Sequence, residues 1–105
     1  MKANEYQKLA LRTNIYKDTR EMALGFVSEA GEVAGKISKI YRDEDGVFTR
    51  KQKHEILKEI GDCCWFVAAL SDVFGCDLEN VMRMNIAKLA DRAKRGVIGG
   101  SGDNR

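Results

Sequence analysis

The stretch HEILKEIGDCCWFVAALSDVF, His54 to Phe74, contains no proline, and Ile56, Ile60, Cys63, Val67, Leu70 and Phe74 recur at steps of three and four. That repeat predicts an amphipathic helix. Between Cys63 and Leu70 almost every residue is apolar, so the helix is expected at the centre of a bundle, covered on most sides. Glu59 and Asp62 interrupt this pattern from within. Three positions apart, they are neighbours on one helical face, with Cβ atoms about 5–6 Å apart. Carboxylates beside so apolar a run are costly unless a cation meets them.

Three more helices can be read outward from this one. Thr49-x-x-Gln52 has the form of a capping box and starts the central helix near Arg50, and Gly75 ends it. Upstream, a long helix is predicted from Asp18 or Thr19 to about Tyr41, with Met22, Phe26, Val33, Ile37 and Ile40 on its apolar face. Gly25, Gly31 and Gly35 lie inside it and suggest that a neighbouring helix or a ligand comes close. Arg42 to Gly46 reads as a polar loop. A short helix from Asn4 to Arg12 precedes these, with Thr13 to Tyr16 as its interruption. Downstream, Asp77 can cap a fourth helix running to about Lys94, with Leu78, Met82 and Leu89 on one stripe and Asn85 among them. The expected architecture is all-α: a four-helix bundle-type unit over residues 1–95, followed by a flexible glycine-rich tail, residues 96–105. Arg95 and Arg105 bracket that tail, which suits either a lid closing on phosphate or a frayed end.

Composition excludes several classes. With 105 residues, 32% of them charged and a net charge of +2, the chain is one small ordered domain. It carries too little positive charge to suggest a nucleic-acid partner. No apolar run is long enough to span a membrane, and MKANEYQKLA lacks the apolar segment of a secretory leader. Cys63, Cys64 and Cys76 read as reduced core thiols of a cytoplasmic protein. The single histidine, His54, excludes sites built on several imidazoles.

Glu29 and Glu32, in SEAGEVAGKISK, form a second acidic pair, with Glu29 on the line of Met22, Phe26 and Val33. Two antiparallel helices would then send four carboxylates into one space, where without a cation each would raise the others' pKa values. An oxygen-only donor set suits Mg²⁺ or Mn²⁺ over zinc or copper. Di-iron bundles also use facing helices, but they need Glu-x-x-His twice. Such a centre suits phosphate esters and anhydrides. Lys36 and Lys39 continue the Glu29–Glu32 face, and with Lys88 and Arg92 they could hold phosphates beyond the metal's reach.

The ordered set Glu29-x-x-Glu32 and Glu59-x-x-Asp62, in the contexts ALGFVSEAGE and KEIGD, followed by Asn85-x-x-Lys88-Leu89 and Arg92, resembles the MazG-like all-α nucleoside triphosphate pyrophosphohydrolases. The resemblance covers most of residues 19 to 95. It implies Mg²⁺-dependent cleavage of a nucleoside triphosphate between its α and β phosphates, giving the monophosphate and pyrophosphate. It further implies a homodimer or homotetramer with shared pockets. Glu29, Glu32, Glu59 and Asp62 would be metal ligands, one glutamate orienting the attacking water. Asn85 and Lys88 would contact sugar and phosphate, and Arg92 a phosphate. Two alternatives compete: a non-catalytic oligomerisation module with a structural ion, and a related phosphohydrolase acting on a phosphoribosyl nucleotide.

Overall fold

The computed structural model describes residues 1–105 and contains four helices and no strand: α1 (Ala3–Leu11), α2 (Thr19–Glu44), α3 (Arg50–Val73) and α4 (Leu78–Arg95). Local chemistry sets the helix starts. Asp18 caps α2 by accepting from the Glu21 N–H, and Asp77 caps α4 by accepting from the Asn80 N–H. Both halves of the Thr49–Gln52 capping box form at the start of α3, satisfying two N–H groups that would otherwise lack partners. One boundary differs from expectation. Arg42, Asp43 and Glu44 continue α2, which ends only when Asp45 turns left-handed at φ 52°. Glu44 is held there by the Gln52 amide at 2.9 Å across the loop, a contact the local sequence does not announce.

α2 and α3 form a long antiparallel hairpin, and α1 and α4 pack on α3 without reaching over to close a bundle. α4 touches α1 and α3 but not α2. The expected centrality of α3 therefore holds, but its expected all-round cover does not. Leu57, Ile60, Val67 and Val73 are all exposed, and only ten of 105 residues are buried. The radius of gyration is 16.4 Å, against about 13 Å for a compact domain of this size. No helix is long and apolar enough to cross a membrane.

Two small apolar clusters hold the chain together. One joins Ala10, Ala68 and Leu78; the other joins Met22, Phe66 and Ala69, with Phe26, Tyr16 and Trp65 against it. Gly25 makes room for the second. A Cβ built there would lie 2.5 Å from the Phe66 ring, whereas Gly31 and Gly35 face open space. Buried Gln7 clamps α1 to the α3–α4 turn: its amide nitrogen donates to the Ala68 carbonyl at 3.0 Å, and its oxygen accepts from the Leu78 N–H at 2.9 Å. The cysteines are unpaired; Cys63 and Cys76 are half-buried, and Cys64 is exposed rather than in the core.

The glycine-rich tail folds back along α4. Arg105 donates to the carbonyls of Val97, Ile98 and Gly102, so its charge is taken up within the tail. Asp103 reaches Lys88 and Arg92.

Candidate metal centre

The hairpin brings three of the four predicted carboxylates together. Ligand oxygens of Glu29 on α2 and of Glu59 and Asp62 on α3 all lie within 4.8 Å of one another. Oxygens on opposite sides of a Mg²⁺ ion are separated by about 4.2 Å, twice its usual bond length. The trio therefore needs little adjustment to hold a hard divalent cation, and its oxygen-only chemistry fits one. Glu32 is exposed and outside the trio. It remains Glu29's neighbour at i+3 on the same helix.

The electrostatics show the strain of this arrangement. The Glu29 carboxyl is held above the ordinary glutamate range, first by lost hydration, then by the nearness of the Glu59 carboxyl and by the charges of Asp62, Glu59 and Glu32. Cys63, next along α3, has its thiol raised by burial and by the same acids. One cation comes near: Lys36 Nζ stands 3.8 Å from Glu59 Oε1. At that distance it offsets only part of the repulsion.

Two hollows flank the trio along the hairpin. On one side, Thr13, Ile15, Tyr16, Trp65 and Phe66 join Glu29 and Asp62 around an open space of about 210 Å³. Trp65 packs edge-on to Phe66 at 5.0 Å and lies 5.7 Å from Tyr16. Its indole N–H donates to Thr13 Oγ1 at 2.8 Å, which fixes the ring. On the other side lies a hollow of about 440 Å³, with Lys36, Lys39 and Lys51 facing Asp43, Glu44 and Glu55. Lys36 belongs both to this wall and to the edge of the trio.

Sequence reasoning places Lys36 and Lys39 beside the acids and leaves Trp65 between the core and a flat ligand, favouring the core, without assembling an aromatic wall. The signal was available: Trp65 and Phe66 follow Asp62 by three and four residues, so helical spacing puts them on its face. Tyr16 carried no such signal, because it comes from the segment read only as a helix interruption.

The remaining predicted residues lie elsewhere. Asn85, Lys88 and Arg92 are on α4, which makes no contact with α2. Asn85 is exposed, as are Met82 and Leu89 on the same stripe. Arg92 is buried, its Nη2 donating to the Asp103 carbonyl and, at 3.1 Å, to the Asp103 carboxylate.

Comparison with known proteins bears on this arrangement. The sequence model of the MazG nucleotide pyrophosphohydrolase domain matches residues 17–97. The chain is 40% identical to the Gene 37 protein of Mycobacterium phage L5, over the full length of both chains. It is 36% identical to the uncharacterized protein YvdC of Bacillus subtilis (strain 168), over 66% of this chain and 71% of that one. No solved structure matches the chain.

Proposed function

The chain belongs to the MazG nucleotide pyrophosphohydrolase domain family, and on that premise we propose that it hydrolyses nucleoside triphosphates between the α and β phosphates, with Mg²⁺ held by Glu29, Glu59 and Asp62. The observation that carries this reading is the linear order of the hairpin: aromatic hollow, carboxylate trio, lysine hollow. From Glu29 to Lys36 the helix rises about 10 Å, and to Lys39 about 15 Å. That is the order of base, reacting phosphorus and outer phosphates, and the long lysine side chains reach back toward the trio, as Lys36 does to Glu59. The base lies against Tyr16, Trp65 and Phe66, whose ring faces and edges suit a flat heterocycle. Lys36 and Lys39 take the β and γ phosphates, so the pyrophosphate leaves toward them. Glu32, Glu29's neighbour at i+3, joins the ligand set or orients the attacking water. The cation's contribution is to neutralise charge building on the phosphate oxygens and to acidify water.

Phosphorus NMR of reactions with a panel of ribo- and deoxyribonucleoside triphosphates and Mg²⁺ tests this directly. The expected products are a nucleoside monophosphate and pyrophosphate. Release of orthophosphate, or no turnover of any nucleotide, contradicts the proposal.

Lys88 and Arg92 complete the pocket from a second copy. Within one chain α4 stands clear of α2, while Met82, Ile86 and Leu89 leave an exposed apolar side on α4 of the kind that marks an interface. On this reading the protein is a homodimer or a pair of dimers with shared pockets. Sedimentation at micromolar concentration should give a mass at least twice 11.8 kDa. A stable monomer that turns over substrate would rule out the shared pocket.

A further inference from the structure

Lys88 and Arg92 lie one helical turn apart on α4, and their cationic ends converge on a single oxygen. Asp103 Oδ1 stands 2.7 Å from Lys88 Nζ and 3.1 Å from Arg92 Nη2, and the same Arg92 nitrogen takes the Asp103 main-chain oxygen at 2.6 Å. Asp103 thus presents two oxygens to two cations, as a phosphate group would. The Arg92 side chain is 7% exposed beneath the tail and Lys88 is 40% exposed, whereas Asp103 is 74% exposed. The two cations are carried on a regular helix and the anion on a surface tail.

Resting on the reading of Lys88 and Arg92 as phosphate ligands, we propose that Asp103 is a latch: an internal anion that occupies this site and must be displaced before a polyphosphate can bind there. Glycines at 99, 100 and 102 give the segment freedom to swing away. The latch can be displaced, because the Lys88–Asp103 pair is exposed and has little net strength, and a polyphosphate brings several charges. Apparent affinity is then the intrinsic affinity reduced by the fraction of molecules with the latch open. This reverses the expectation of a closing lid: the tail restrains binding instead of completing it.

The test is calorimetric binding of inorganic pyrophosphate to the full-length protein in EDTA, which removes any contribution from metal at the acid trio. Asp103→Asn should tighten binding about tenfold, as it would if nine molecules in ten are latched. Asp91→Asn is the control, because the Asp91 carboxylate pairs with Arg95 on the same helix, whereas Lys88 and Arg92 pair with Asp103. It removes the same charge and should change affinity less than about twofold, the expectation if general charge matters little at ordinary salt. In a Lys88→Met background the effect of Asp103→Asn should shrink sharply. Unchanged or weaker binding by Asp103→Asn, or an equal gain from Asp91→Asn, overturns the latch and leaves Asp103 as a tether for the tail. Pyrophosphate binding is read without turnover, so a latch that behaves as expected in a protein that hydrolyses no nucleotide would refute only the hydrolase reading.

Discussion

Glu59→Gln should leave a folded, helical protein whose kcat/KM on its nucleotide substrate has fallen roughly 10²–10³-fold, the range for losing one preorganised charged group at a reacting centre. The side chain keeps its size but loses the charge that, with Glu29 and Asp62, makes the trio a cation site. Stability should move the other way. Glu29 carries a raised pKa, caused first by lost hydration and then by its acidic neighbours. In the metal-free protein its contribution to stability is therefore full at pH below the ordinary glutamate value and is lost as pH climbs through the raised one. Glu59→Gln removes one of those neighbours. Melts in EDTA at about pH 5 and about pH 8 should show less loss with rising pH in the variant than in the parent. Mg²⁺ should raise the parent's melting temperature more at the higher pH, where the acids are charged and the ion binds only the folded form. A folded Glu59→Gln protein with full activity would remove the trio from the chemistry.

Phe66→Ala is expected to be the most damaging single change to the fold. Phe66 is 5% exposed, lies between α2 and α3, and touches Met22, Ala69, Tyr16, Phe26 and Trp65. Truncating a buried phenylalanine costs about 3–5 kcal/mol, against a total stability of roughly 5–15 kcal/mol for a domain of ordinary size. Here the clusters are small and few alternative contacts exist. Urea unfolding followed by circular dichroism should show a large drop in midpoint, or no folded baseline at all. A midpoint within experimental error of the parent would mean that the α2–α3 contact is held elsewhere.

The parts of this fold that were legible in the sequence are those fixed by near neighbours. Asp18, Thr49, Gln52 and Asp77 announce their helices because a cap needs only the next three residues. Glu29, Glu32, Glu59 and Asp62 stood out because two acidic pairs on facing helices call for a cation, and the structure brings all but Glu32 together. What escaped depends on distant partners. Gln7 looks like any surface glutamine until Ala68 and Leu78 arrive beside it. Arg92 looks solvated until the tail covers it. The apolar pattern of α3 shows what should be covered, but not whether one chain supplies the cover. Ile60 and Val67 remain exposed for that reason.

The notch at Gly25 has an evolutionary consequence. Position 25 tolerates only hydrogen while the ring at position 66 fills the space above it, so neither residue is free to drift alone. Relatives that carry alanine or serine at 25 would need a smaller or differently shaped side chain at 66, and a return to phenylalanine would first require the glycine. The two sites are therefore expected to change together or not at all, so that the register of α2 against α3 is inherited as one character rather than two.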